Sequence, residues 1–346
     1  MKDGEPEILR YSRQTRLPHI GEEGQRKLIA SRVLVVGVGA LGTTICSLMV
    51  RAGCGFVRLV DRDFIELDNL QRQTLFDEGD VAAGLPKAVA AAEKLRRSNS
   101  HVTVEPIVAD VTPANVLRLV EGCDVVLDGC DNLETRLLLN DACLKLRVPW
   151  VYGAAIGTTG ATMPFVPGQG RPCFRCIVPS LPAPGALPTC ETAGVLGTVP
   201  QIVAALQATE AIKILTGNVG ELVTHLRHVD VWAGTVEALE IQKGYEPCPA
   251  CDLSRFEFLE AKAGTVSTKV CGRSAIQVDP GRSAAPDFQA LSARLSALGD
   301  VRFNSYMLRF QEDSTEIVLF PDGRAIIKGT GDEAAARAIY ARFIGS

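Results

Sequence analysis

No long basic run appears anywhere in this 346-residue chain, and its formal net charge is −4. Such a surface lacks the positive field that phosphate backbones demand, so a nucleic-acid partner is not expected. The N-terminal stretch MKDGEPEILRYSRQ has no apolar core of the kind a signal peptide carries. Nor is any apolar run clean enough to span a membrane: the most hydrophobic one, 195–215, is broken by Thr, Gln, Glu210 and Lys213 and reads as a buried helix. Histidine is scarce, with only His19, His101, His225 and His228, none of them in a recognisable catalytic motif. Internal repeats and low-complexity tracts are missing as well. What remains is a chain of 47% hydrophobic and 22% charged residues, long enough for one large domain or two. Its eleven cysteines would suit a secreted disulfide framework in a short chain. In a long chain without a signal they point instead to reduced thiols, a metal site and a cytoplasmic location.

Against that background one stretch stands out. VLVVGVGALG, Val33 to Gly42, is an apolar strand running into Gly37-x-Gly39-x-x-Gly42, and the following TTICSLMVRAG forms a helix. A turn of this kind holds phosphate, because helix N-terminal N–H groups point outward and glycine lets the backbone approach closely. The pyrophosphate of a dinucleotide and the tail of ATP both fit, and a ligand-free strand–helix corner is the plain alternative.

The rest of the chain alternates in the same manner. Residues 1–30 read as helix, with QRKLIAS amphipathic; strand 32–36, helix 42–52 and strand 56–61 form one βαβ unit. Helix 85–98, strand 102–107, helix 113–120, strand 124–129, helix 133–146 and the strand PWVYGAA follow. The expected fold class is α/β, a doubly wound, mostly parallel sheet with helices on both faces. Across 153–188 glycines and prolines multiply, which reads as loop and antiparallel sheet laid over the nucleotide edge. Order returns with a helix at 199–215 and strands near His225–Glu240. After PCPACD the character changes, so residues 1–252 are taken as one domain and 265–346 as a small α+β domain. The latter reads as strand 267–278, helix 287–298, strands 305–310, 315–320 and 325–328, and helix 332–344, with PDG at 321–323 as a hairpin signal.

Chemistry-bearing residues gather at the predicted strand ends. Asp61 closes the second strand, where a carboxylate can accept from ribose hydroxyls; a turn or cap Asp is the bland reading. DRDFIELDNLQRQTLF then offers Asp63, Asn69, Gln71 and Arg72, and Lys87 follows in GLPKAVAAAEKL. A triphosphate wants such cations around it, whereas a dinucleotide needs little beyond the helix N-terminus. DVVLDGCDN supplies Asp128 and Asp131 at another strand end, where a carboxylate could hold Mg²⁺; Asp131 with Asn132 could equally cap the next helix. The pairs Cys173–Cys176 and Cys248–Cys251 have the spacing of a four-thiolate zinc shell, structural because no position is left open. The 71 residues between the pairs would make the site a staple between distant segments; a redox dithiol or unrelated buried thiols are the rivals. Cys190, in PTCETAGV, is a candidate nucleophile or a plain packing residue. Cys46, Cys54, Cys123, Cys130 and Cys143 fall in predicted core elements.

In order along the chain, RYSRQ, GVGALG, DRDFIELDNLQRQ, PKA, LDGCDN, CFRC, TCETAGV and CPAC resemble the sulfur-carrier adenylyltransferases of thiamine and molybdopterin biosynthesis, the ThiF/MoeB type. These are bacterial relatives of the ubiquitin-activating enzyme, and the match runs from about Leu9 to Cys251. The resemblance implies a Rossmann-like sheet that binds Mg·ATP and adenylates the C-terminal Gly-Gly carboxylate of a small ubiquitin-like protein. By position it implies that Gly37, Gly39, Ala40 and Gly42 cradle the nucleotide and Asp61 holds ribose. Asn69, Arg72 and Lys87 would hold phosphates, with Asp63, Gln71 and Asn132 beside them and Asp131 serving Mg²⁺. Arg13 would reach the ATP of the other subunit of a homodimer, Cys190 would match the position of acyl-disulfide or thioester chemistry, and the four paired cysteines would bind Zn²⁺. A cysteine desulfurase or other sulfur donor is a further implied partner. Ala40 stands where the family often has Gly, and DGCDN replaces a commoner DCTDN. The tail FPDGRAIIKGT…ARAIYARFIG looks like that of longer thiamine-type members, which favours the thiazole branch over the molybdopterin one. Two other classes compete: an NAD-dependent oxidoreductase, and a scaffold that docks a ubiquitin-like partner without catalysis.

Overall fold

The computed structural model describes residues 6–182, 190–243, 247–260, 268–269, 275–278 and 286–345. Contacts divide the chain into two compact units, Met1–Ala261 and Lys262–Ser346.

The first unit is built on five parallel strands, β1 (Arg32–Val36), β2 (Phe56–Asp61), β3 (Thr103–Val108), β4 (Val125–Asp128) and β5 (Trp150–Ile156), in the order β3-β2-β1-β4-β5. RVLVV and VVLD are almost uninterrupted apolar runs because both faces of these central strands are covered. On one face α3 (Ala40–Ala52), α5 (Lys87–Ser98) and α10 (Thr198–Thr216) close a core around Val33, Val35, Ile45, Met49, Leu95 and Val203. On the other, α6 (Val116–Val120) and α7 (Leu133–Leu146) pack with Leu34, Val126, Leu139 and Trp150. Order reverses between β1 and β4, the crevice at which open α/β sheets take their ligands.

β6 (Thr159–Phe165), β7 (Leu226–Asp230) and β8 (Thr235–Leu239) continue the sheet beyond β5 as antiparallel strands. They lie in its plane, side by side; β6, from the 153–188 stretch expected to lie over the nucleotide edge, instead pairs with β5, and β7 and β8 are the strands expected near His225–Glu240. Each bonds its neighbour through its backbone, and that pairing would be lost if the strands folded over the sheet. Short helices complete the unit: α1 (Pro6–Leu9), α2 (Gly21–Ala30), α4 (Glu78–Ala83), α8 (Phe174–Ile177), α9 (Cys190–Ala193) and α11 (Glu257–Glu260). The single helix expected over 1–30 is therefore two, separated by turns. Tertiary anchors decide this: Asn99 Nδ2 donates to the Tyr11 hydroxyl at 2.8 Å, and Gln14 Nε2 donates to the Ala52 carbonyl at 3.0 Å. Among the described residues no helix is long and apolar enough to cross a membrane; α10 buries Gln207 and Glu210, the latter ion-paired to Lys213 at 2.9 Å and Arg227 at 3.2 Å.

The second unit is an antiparallel sheet of β9 (Thr268–Lys269), β10 (Ala275–Val278), β11 (Asp300–Phe303), β12 (Leu308–Glu312), β13 (Thr315–Leu319) and β14 (Ala325–Lys328), in the order β11-β12-β13-β14-β10-β9. α12 (Phe288–Leu295) and α13 (Glu333–Phe343) close its core over Phe310, Ile317, Ile327, Tyr340 and Phe343. β11 falls between the helix expected over 287–298 and the strand expected over 305–310, where no element is expected; it is short and mostly exposed, so its sequence carries little alternation. Of the strand expected over 267–278, only 268–269 and 275–278 lie within the described residues.

Candidate active site and metal centre

β1 hands over to α3 through the glycine turn. Gly37 sits at φ +86° with Gly129 so close that a Cβ would lie 2.5 Å from its carbonyl oxygen, so only glycine serves there. A Cβ on Gly42 would run into the Gly37 carbonyl. Gly39 is the N-cap, Ala40 opens the helix, no side chain caps it, and its first turn carries no acid. The outward N–H groups of α3 are thus left to an anion. Beside this turn, at the end of β2, both oxygens of Asp61 are engaged: Oδ2 accepts from Val38 N at 2.6 Å and Oδ1 from Asp63 N at 2.7 Å. Burial pushes the Asp61 carboxyl up to about 6, with Asp63 adding to the rise and Lys87 opposing it.

The segment after β2 folds back so that Phe64 bridges Pro86 and Lys87 N donates to the Asp63 carbonyl. This carries the Lys87 ammonium inside, where it pairs with Asp63 Oδ2 at 3.1 Å with its side chain only 8% exposed. Burial alone would lower its pKa, but the charges of Asp63, Asp61 and Asp131 together outweigh that and raise it. Asn69 is buried and supports its own turn, Oδ1 accepting from Glu66 N at 3.2 Å and Nδ2 donating to Asp68 at 2.9 Å. Arg72 is partly exposed with Nη1 on the Asp68 carbonyl at 2.7 Å. Gln71 is exposed, its backbone oxygen crowding Gly197, while Gln201 Nε2 donates to the Arg72 carbonyl at 3.1 Å. The start of α10 therefore abuts the Arg72 segment.

Two neighbours escaped the sequence reading. Arg62 pairs with Asp110 at 2.9 Å and lies near Asp63 and Asp131. Gln73 is buried with an unpartnered Oε1, and its Nε2 would lie 3.8 Å from a Cβ on Gly39. No local pattern flags either residue, since the contacts arise only from the fold.

β4 ends at Asp128, and the 129–132 turn leads into α7. Asn132 Oδ1 caps that helix by accepting from Thr135 N at 2.8 Å, so the capping alternative holds for Asn132. Asp131 is exposed, and among the described residues its one hydrogen bond is from Asn132 Nδ2 at 3.2 Å. Asp61, the glycine turn and Asp131 thus sit at the C-terminal ends of adjacent strands β2, β1 and β4, spaced about 5 Å apart. Arg13 is not brought to this site by its own chain. Tyr11 and Gln14 pin its segment to the far end of α3, about 18 Å from the glycine turn at 1.5 Å per residue. Cys190 opens α9, but its side chain lies outside the described residues. The segment that follows is tied down, Gly157 N donating to Gly194 at 2.9 Å and Leu196 N to Gly157 at 2.8 Å.

Away from this crevice, Cys173, Cys176, Cys248 and Cys251 converge, all four sulfurs within 4.8 Å of one another. Neighbouring sulfurs are 3.7–3.9 Å apart. A tetrahedral zinc with Zn–S of about 2.3 Å requires edges of about 3.8 Å, so the quartet fits the ion. Crowded thiols share protons, Cys173 holding Cys176 down to about 5, a charge that a dication would neutralise. α7 supports the knuckle, Asn140 Oδ1 accepting from Phe174 N at 3.0 Å. The five other cysteines expected in the core, Cys46, Cys54, Cys123, Cys130 and Cys143, are buried and free.

The sulfur carrier protein ThiS adenylyltransferase of Bacillus subtilis is 42% identical over 340 residues, covering 97% of this chain and 99% of that protein. The SAMP-activating enzyme E1 of Haloferax volcanii is 42% identical over 245 residues, 71% of this chain and 89% of its own. Among solved structures, E. coli MccB with ATP superposes with a TM-score of 0.59 over 70% of this chain and 73% of that one, at 23% identity, a likeness of fold alone. The pattern of the ThiF family matches residues 11–250, and with that match and a relative aligned nearly end to end, the chain belongs to the ThiF family.

Proposed function

We propose that this protein is an adenylyltransferase that uses ATP to activate the C-terminal Gly-Gly carboxylate of a small ubiquitin-like sulfur carrier, the carrier of thiazole synthesis. The observation that carries the reading is the meeting, at three adjacent strand ends, of an uncapped helix N-terminus, a ribose-ready Asp61, a buried Lys87 and an exposed Asp131. The similarity to the ThiS enzyme extends through the second unit and favours the thiamine branch over a molybdopterin-type carrier.

In the reaction, a carboxylate oxygen of the carrier attacks the α-phosphorus, the bond to the β-phosphate bridge oxygen breaks, and pyrophosphate leaves with the electron pair. Both partners are negative, so the protein must supply cations and oriented donors; no general base is required. The N–H groups of α3 receive phosphate, Lys87 and Arg72 face the β- and γ-phosphates, and Asn69 and Gln71 line the same rim. Asp131 would hold Mg²⁺, which neutralises phosphate charge when bound. Arg13, at the far end of its own α3, serves the site of a second copy in a homodimer. The cysteine quartet holds a structural zinc, and the buried reduced thiols suit the cytoplasm.

Cys190 acts, on this reading, after adenylation. The test is exchange of labelled pyrophosphate into ATP, with the ThiS-type carrier added or withheld, in wild type and Cys190→Ala. Carrier-dependent exchange in both, with a thiol-sensitive adduct to carrier or sulfur donor in wild type only, is expected. ATP-independent binding of NAD without exchange would overturn the adenylation reading, and an adduct mapped to another cysteine would remove Cys190 from it.

Asp61 supplies a pH signature. Its carboxyl, held up to about 6 by burial, is ionised at pH 7.5 and gains a proton as pH falls through that value. The preference for ATP over 2′,3′-dideoxy-ATP should therefore shrink several-fold between pH 7.5 and 5. Phosphate titration is common to both nucleotides and cancels. A constant preference in calorimetric titrations would detach Asp61 from the ribose.

A further inference from the structure

Arg136 lies one turn inside α7, on the protein side of the turn that carries Asp131. Its side chain is only 8% exposed, and the Asp128 carboxylate it meets is fully buried. Three of its bonds reach three separate pieces of backbone and side chain. Nε donates to Asp128 Oδ2 at 2.9 Å, and Nη2 donates to the carbonyls of Cys130 at 2.5 Å and Gly153 at 2.8 Å. Asp128 in turn accepts from Cys130 N at 2.8 Å and from Gly153 N at 3.3 Å, and the Tyr152 ring lies 5.2 Å from the guanidinium. Gln207 Nε2, on α10, closes the arrangement by donating to the Asp128 carbonyl at 2.8 Å.

A buried ion pair adds little net stability compared with apolar residues of the same volume. Stability alone therefore gives no reason for a charge at this place. Geometry does: a planar guanidinium presents donors in fixed directions, and here they grip the turn from below at Cys130 while holding it to β5 at Gly153. Cys130 immediately precedes Asp131. With Cys130 held through both its N–H and its carbonyl, and Asn132 fixed as the cap of α7, the peptides on either side of Asp131 cannot rotate. The Cα–Cβ bond of the exposed Asp131 is left with one direction.

We propose that Arg136 is a positioning residue for the reaction, fixing the 129–132 turn through Asp128, Cys130 and Gly153 so that Asp131 is aimed at the phosphate crevice before nucleotide arrives. The inference rests on the role proposed above for Asp131. It makes a specific demand: loss of the fork should loosen that turn and weaken the use of divalent cation, while leaving the capture of the carrier untouched.

The test uses the full chain in wild type, Arg136→Lys and Asp128→Asn, with two readouts. The first is backbone hydrogen–deuterium exchange of the nucleotide-free protein. The peptide covering 128–133 is expected to exchange at least tenfold faster in Arg136→Lys, with peptides of β1 and β2 unchanged. The second is the Mg²⁺ dependence of carrier-dependent pyrophosphate exchange. Half-maximal activity should need at least fivefold more Mg²⁺, the KM for carrier should stay the same, and excess Mg²⁺ should restore part of the rate. Asp128→Asn, which removes the other half of the pair, should repeat the pattern and carries the test if the lysine variant does not fold. Unchanged protection of the turn, or a general rise in exchange with wild-type Mg²⁺ dependence, would overturn the proposal. If wild type itself shows no pyrophosphate exchange, the adenylation reading falls, whereas the deuterium result still decides whether Arg136 holds the turn.

Discussion

Replacing Asp131 by Ala is expected to lower carrier-dependent pyrophosphate exchange by about 10²–10³-fold, the usual consequence of removing one preorganised electrostatic group from a closed site. The fold gives this variant an unusually clean interpretation. Asp131 is exposed and, among the described residues, its carboxylate accepts a hydrogen bond only from the partly exposed Asn132, so its loss orphans no buried hydrogen-bond partner there. Asn132 keeps its capping bond to Thr135 N, and the buried bonds of Arg136 do not involve the Asp131 side chain. Melting temperature should accordingly stay within a degree or two of wild type, and the lost rate reports chemistry. Lys87 would behave differently, because it is buried and its removal takes a cation away from both Asp63 and the buried Asp61. Undiminished exchange in Asp131→Ala would remove this residue from phosphate chemistry altogether.

The second large effect concerns the cysteine quartet. Metal analysis should find about one zinc per chain, as four thiolates at tetrahedral spacing require. Cys248→Ser should lose most of that zinc and melt at least about 10 °C lower, since structural zinc contributes directly to folding free energy. Nucleotide affinity measured at low temperature, by contrast, should change little. The quartet meets the crevice indirectly, through Phe174, which bonds Asn140 about two turns along α7 from the Asn132 cap and packs on Trp150 and Tyr152 of β5. A metal-free protein of undiminished stability would sink the assignment, and calorimetry with elemental analysis decides it.

How much of this could be read from the chain depends on whether a residue's role is local. The glycine turn was legible because a positive φ at Gly37 and the close approach at Gly42 leave no other residue possible. The cysteine pairs were legible because two thiols two residues apart have few other uses, and the central strands because burial on both faces forces an apolar run. Arg136 was not, since LETRLLLNDACLKL gives no sign of which polar residue turns inward. Gln73 and Arg62 were hidden for the same reason: each gains meaning only from Gly39 or Asp110, far away in sequence. Along 10–20 the helical pattern misled because Tyr11 and Gln14 find better partners on α3 and α5 than a continuous helix would give them. Asn132 follows the bland reading, its amide oxygen spent on the cap of α7.

The two halves of the cysteine quartet lie 75 positions apart, one following β6 and the other following β8. Between them runs the chain that makes α9, α10 and the last two strands of the sheet. A metal that stayed on all four sulfurs would close a loop of that length in the unfolded chain, which in a chain-entropy account disfavours the denatured ensemble by about 4 kcal/mol. A metal on these four sulfurs would be a clasp across that whole length of chain. Once shut, it denies β8, the sheet's outer strand, the freedom to peel away and offer its backbone to a stranger.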